Sequence, residues 1–170
     1  MAANSTTALP LDNPFWHYAL RLYSYPGVEA CCLALQGKGQ SINRLLFCLW
    51  SGFEGRELPP RSPEADQWQL QISHPLRALR YQVREQKQHQ SALDSCYAAL
   101  RKAELACEQV EIAHLYVQSL DAATAEAGLE LCKHNLRVWL EQQQQMQLWQ
   151  EPKLLELLRL AALESSEHKF

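Results

Sequence analysis

An all-α fold is predicted by three features of this 170-residue chain. Apolar residues recur at helical spacing, helix-stopping glycines and prolines punctuate them at short intervals, and no stretch alternates apolar with polar residues as a half-buried strand does. Together they predict a compact single-domain bundle of about six or seven helices, with a long antiparallel hairpin and a short C-terminal helix. Residues 1–12 are expected to be a flexible N-terminal segment, 13–163 the helical domain and 164–170 a C-terminal tail.

The first helix starts with Asn13 as cap and Pro14 at the first helical position, where no amide hydrogen is needed. Phe15, Trp16, Ala19, Leu20 and Tyr23 then repeat at helical spacing, and the helix ends by Tyr25 because Pro26 disfavours a helical predecessor. Gly27 to Gln36 forms a second helix closed by Gly37. Ser41 or its neighbour opens a third, Ile42 to Trp50, stopped by Gly52 and Gly55. Phe53 to Arg61 is a loop, after which Ser62, Pro63 and Glu64 read as cap, first turn and partner of the helix dipole.

His74 before Pro75 predicts a break or kink in the fourth segment, with a restart at Pro75 and an end near Gln88. The polar KQHQ sequence turns the chain into a long helix from about Ser91 to Gln118, its antiparallel partner. A sixth helix is expected from about Ala122 to Trp149, tolerating Gly128 and carrying Gln142 to Gln145 on a solvated face. Pro152 starts the last one, Lys153 to Leu163.

Composition narrows the function classes. The length fits one domain able to remove roughly two thirds of its unfolded surface from water. A net charge of −3 gives no global basic footprint, so no nucleic acid is expected. The N-terminus lacks a basic stretch followed by an apolar core, and no window reaches the length of a membrane span, so no membrane insertion is expected and the protein reads as cytoplasmic. The cysteines 31, 32, 48, 96, 107 and 132 lie within helical patterns, form no C-x-x-C and read as reduced core residues.

One constellation carries chemical potential. In ELACEQVEIAH, Glu104 and Glu111 point the same way as Leu93, Tyr97, Leu100 and Leu115 at about 100° per residue, with Glu108 at the edge of that arc. Carboxylates on an apolar face must acquire a partner or take up a proton. Arg77, Arg80 and Arg84 flank the Leu76, Leu79 and Val83 stripe of the preceding helix and are the expected partners in a buried ion-pair network. Glu111 and His114 also form E-x-x-H, which puts two metal donors on one helix face, but a di-metal bundle site requires a second such motif and further glutamates. No metal or other cofactor is expected. GKGQS at Gly37 to Ser41 lacks the order of a phosphate loop and reads as a turn.

The NPFW helix start, the YPGV joint, CLALQ and LLFCLW in the first 50 residues resemble a family of small proteobacterial proteins known chiefly as a domain of unknown function. The similarity continues through PLRALR at Pro75 to Arg80 and ELACEQVE at Glu104 to Glu111, covering most of the chain before about Leu140. The resemblance implies an all-helical, uncharacterised cytoplasmic protein. Arg44 departs from the apolar residue of the family's pattern, which sets full burial of that face of the third helix against the cost of a charge.

The C-terminal helix has leucine on several faces, at 154, 155, 157, 158, 160 and 163, more than one buried stripe requires. Trp149, Leu154, Leu157 and Leu158 are the expected interaction surface, for a protein partner or self-association. The leading expectation is a non-enzymatic helical interaction or regulatory protein. The alternatives are a helical pocket for an apolar small molecule or lipid-like ligand, and a metal-carboxylate enzyme using Glu104, Glu108, Glu111 and His114.

Overall fold

The computed structural model describes residues 8–168. Residues 1–7, most of the expected flexible N-terminal segment, and 169–170 of the expected tail lie outside the described residues. Eight α-helices occur among the described residues: α1 (Pro14–Ser24), α2 (Val28–Gly37), α3 (Ile42–Phe53), α4 (Pro63–Trp68), α5 (His74–Lys87), α6 (Asp94–Ser119), α7 (Leu129–Gln142) and α8 (Pro152–Glu167). A π-helical turn, Gln69–Ser73, joins α4 to α5 without interruption, so these two form one helical body. The fold is all-α. One isolated antiparallel bridge, Arg56 to Thr124, is its sole β-type pairing among the described residues.

The chain divides into two compact units. One comprises residues up to Asn13 together with Arg61–Val117, the other Pro14–Pro60 with Gln118–Phe170.

In the first unit, Ser62 caps α4 by accepting a hydrogen bond from the Ala65 amide at 3.2 Å, with Pro63 in the first turn. Pro75 does not break the chain's helical course. A proline in a helix removes an amide donor and its ring presses on the carbonyl four residues earlier. The π turn immediately upstream widens the backbone where that conflict arises, which is how a helix absorbs an extra residue without ending. The polar turn after α5 is closed by amide bonds from His89 to Gln86 O and Gln90 to Lys87 O. A short 3₁₀ turn, Ser91–Leu93, then leads into α6, completing the hairpin.

In the second unit, Phe15 of α1 packs on Phe47 (5.3 Å between ring centres) and stacks on Trp50 (5.2 Å) of α3. Leu22, Leu45, Leu49, Leu136, Leu140, Leu154 and Leu157 are fully buried, and a buried leucine contributes about 1.5–3 kcal/mol relative to an exposed one. Arg44 is buried as well. Its guanidinium lies 5.9 Å from the Trp139 ring centre, a contact that helps accommodate the charge there.

The expected helix from Ala122 to Trp149 is shorter at both ends. Residues 123–128 are not helical and are held by 52–57: Glu57 N bonds Ala123 O, Ala125 N bonds Gly55 O, and Gly128 N bonds Gly52 O, each at 2.9 Å. Gly128, at φ +148°, sets the start of α7. At the other end Gln144 takes φ +55° and stops α7 at Gln142, so Met146–Gln150 forms a separate 3₁₀ turn. The glutamine run is therefore a helix end and turn rather than one helix face. α8 continues beyond the expected Leu163 to Glu167. Glu164, placed by its sequence in a tail, is instead buried and paired with Arg21 of α1.

Candidate functional site

Two regions hold the residues singled out from the sequence, one in each unit. The first is the α5–α6 hairpin. Glu104 accepts from Arg77 Nε at 2.6 Å through one carboxylate oxygen and from Arg80 Nε through the other. Arg77 also reaches Glu108 at 3.3 Å, and Arg80 reaches the Tyr97 hydroxyl at 3.3 Å. Spacing explains the arrangement. Arg77 and Arg80 are three residues apart on α5, Glu104 and Glu108 four apart on α6, so each pair lies on one helix face. Bridging by such long side chains holds the helices together with little aliphatic contact, and no residue of α5 is fully buried.

Arg84 and Glu111 lie outside this ladder. Arg84 is over the face of Tyr81, 4.7 Å from the ring centre, and shares that ring with Arg80 at 4.5 Å. Glu111, 2 % exposed, accepts from Gln69 Nε2 of the π turn at 3.2 Å. Nearby, Trp68 Nε1 donates to Cys107 O at 2.9 Å. The π turn thus brings an amide to a buried acid, a connection the spacing of charged residues gave no sign of. Lys87 extends the seam at the hairpin's turn, 2.9 Å from Asp94 and over the Tyr97 ring.

Burial pushes Glu108 up to about 7, with the Glu104 and Glu111 charges adding to it and Arg77 opposing. The ladder therefore holds one carboxyl that titrates near neutrality. His114 is half-buried on the same helix as Glu111. Among the described residues no group of three or more His, Cys, Asp or Glu side chains is placed to hold a metal ion, and the carboxylates of Glu104 and Glu108 are directed at guanidinium groups. The arrangement neutralises charge between two helices.

The second region is in α7 and α8. Leu154, Leu157 and Leu158, expected on an interaction surface, are buried. The reason is that α8 seats chiefly on α2, with α7 and α3 also against it, so more than one of its faces is covered. Trp149 is half-buried, with the Arg137 guanidinium 5.3 Å from its ring centre. The apolar surface that α8 leaves uncovered is Leu155, 49 % exposed, and Leu163, 41 % exposed. They flank an open groove of about 380 Å³ whose other lining includes Leu129, Leu158 and Ala162, with Lys133 and Arg159 as its charged members. A groove forms here because α7 seats chiefly on α3 while α8 seats on α2, leaving the two helices with a shallow trough between them. The leucine excess in the sequence indicated an extra apolar face. Assigning it to Leu155 and Leu163 required knowing which neighbour each face meets.

The cysteines divide likewise. Cys31, Cys32, Cys48 and Cys132 are buried, Cys107 is half-buried and Cys96 is exposed, so Cys96 is not the core residue its helical setting suggested.

Fold and sites together define an all-helical protein with a charge-zipped helical hairpin and a basic-rimmed apolar groove; no helix of its described residues is long and apolar enough to cross a membrane. Residues 14–115 match the family described as "Protein of unknown function (DUF2390)", and the chain belongs to that family. The match includes α1 to α5 and most of α6, and ends short of α7 and α8. No curated protein and no solved structure matches the chain.

Proposed function

We propose that this protein is a non-enzymatic interaction module of the bacterial cytoplasm, which docks a partner on the exposed face of α8. The observation that carries this reading is the groove beside Leu155 and Leu163, where large aliphatic side chains stay uncovered although Leu154, Leu157, Leu158 and Leu160 of the same helix are buried. Contiguous apolar surface with a polar rim is what a docking site requires. The Glu104 ladder fits the same reading as a structural element, since its acids are already engaged by Arg77 and Arg80.

The test is capture of tagged full-length protein from its native cell in parallel with a Leu155→Glu form, with circular dichroism establishing that the variant is folded. Leu155 is the informative position, because a charge at buried Leu157 would disrupt the core instead. Chains recovered with the parent and lost with Leu155→Glu support the reading. Partners retained unchanged by the folded variant overturn it.

A further inference from the structure

We propose that the α7–α8 groove receives an acidic amphipathic helix from a partner protein, seating its apolar row on Leu155 and Leu163 over the buried Leu158 and its carboxylates on Lys133 and on Arg159, which lies between the two leucines. This rests on the docking role proposed above and adds the chemistry of the occupant.

Length and lining define the apolar part. Leu155 and Leu163 are eight positions apart on one helix, about 12 Å at the usual rise. That span suits two or three aliphatic side chains from about two turns of a facing helix, spaced at i, i+4 and i+7. The lining is aliphatic and the groove open, as helix-in-groove docking requires.

Charge defines the flanks. Both charged residues of the lining are cations, each with an acidic neighbour on its own helix, Glu130 for Lys133 and Glu156 for Arg159. Lys133 lies 2.6 Å from Glu130, but that pair is a solvent-exposed i, i+3 contact with the glutamate 86 % exposed. Such pairs contribute little, and an incoming carboxylate can replace Glu130 at small cost. Arg159 is exposed at the midpoint between Leu155 and Leu163.

The same midpoint argues against a second copy of this chain as occupant. In a two-fold antiparallel pairing of α8, Leu155 of each copy meets Leu163 of the other, and position 159 falls on the axis facing itself. An in-register parallel pairing also aligns 159 with 159. Either brings two guanidinium groups together at the centre of the contact, whereas an occupant with carboxylates there meets them with complementary charge.

The test uses a displayed library of 18-residue helices with a fixed leucine stripe and flanking positions drawn equally from Glu, Gln and Lys, selected against the full chain. The expected binders are rich in Glu and weaken at least tenfold with Leu155→Ser and with the double reversal Lys133→Glu/Arg159→Glu. Selection against the double reversal should favour Lys instead, and the Glu-rich binders should weaken as salt is raised. Thermal unfolding of each variant separates loss of binding from loss of fold.

Binders without a flank preference that still depend on Leu155 overturn the acidic occupant and leave the docking reading standing. Binders indifferent to Leu155→Ser, or none at all, overturn both. Sodium oleate saturating the groove below the concentration of the best peptide assigns the site to a fatty acid and overturns the helix. A free-chain dimer dissolved by Leu155→Ser assigns it to a second copy and does the same.

Discussion

Gly52 of α3 lies so close to α7 that a Cβ placed on it would stand 2.5 Å from the Cys132 amide nitrogen and 2.6 Å from the Cys132 sulfur. Neither obstacle is the free end of a flexible side chain. Cys132 Sγ donates to Leu49 O, and Gly52 O accepts from the Gly128 amide at 2.9 Å, so both helices are fixed at this crossing. Gly52→Ala is expected to destabilise the protein by about 2–3 kcal/mol, as overpacking does. Gly37→Ala is the contrast, since nothing lies within 4 Å of its Cβ position and it sits at the end of α2. That change is expected to stabilise by about 0.4–1 kcal/mol through the unfolded chain's lost freedom. Urea unfolding of the two variants measures both, and equal effects would refute the close approach of α3 to α7.

The hairpin ladder predicts coupling between particular side chains. Glu104 is shared by Arg77 and Arg80, whose side chains keep 23 % and 13 % of their exposure, so these are partly desolvated charges. Removing the acid leaves two guanidinium groups short of a partner, and Glu104→Gln is expected to cost about 2 kcal/mol, below the full cost of breaking a wholly buried pair. A double-mutant cycle of Arg80→Met with Glu104→Gln should give a coupling of about 1–2 kcal/mol. The Arg84→Met cycle with Glu104→Gln should give almost none, because Arg84 is on Tyr81. Similar coupling for Arg80 and Arg84 would show that the ladder does not select its partners.

Legibility in the sequence followed the range of the forces involved. The bounds of α1 and α2 and the start of α3 were readable because Pro14, Pro26, Gly37 and Ser41 act through their own backbone, within one or two residues; the end of α3 was not, since Gly52, expected to stop it after Trp50, lies inside a helix that runs to Phe53. Arg77, Arg80 and Glu104 were readable as partners because helical spacing fixes direction and a short turn makes antiparallel neighbours. What failed depended on distant residues. DAATAEAG has a helical composition, yet its amides bond to 52–57, a tertiary pairing that overrides propensity. The inward turn of Leu154, Leu157 and Leu158 depends on α2, over 115 residues away in the chain. The π turn before Pro75 gave no compositional signal, because the strain it relieves is geometric.

Thiol chemistry gives an independent check on burial. The thiolate is the reactive form, so a thiol held protonated in the interior reacts slowly. Burial pushes Cys32 and Cys132 up to about 12 and Cys48 further still, and raises Cys31 and Cys107 less far. Cys96 is the exposed thiol. The native protein at pH 8 is expected to show one fast-reacting thiol with Ellman's reagent, and Cys96→Ser should remove it. In denaturant all six should react at one rate. Two or more fast thiols in the folded Cys96→Ser protein would contradict the packing of α2, α3 and α7.

Glu108 gives the hairpin a pH dependence of definite sign. Its carboxyl is raised to about 7 by burial foremost, against an unfolded value of 4.5, so the folded chain binds more protons than the unfolded one between these values. Stability contributed by this residue is therefore fully present below about 4.5 and declines as pH rises through about 7. The side chain is 30 % exposed, which limits the loss to about 1–2 kcal/mol. Glu108→Gln keeps the shape and removes the titration. Relative to the parent, the variant is expected to gain stability between pH 5 and pH 8, by about 1–2 kcal/mol in chemical denaturation. Carbon-13 NMR of the Glu108 carboxyl should place its midpoint near 7. A parent and variant that change in parallel across this range, with a midpoint close to that of a solvated glutamate, would show that water reaches Glu108 freely and that the seam between α5 and α6 is open there.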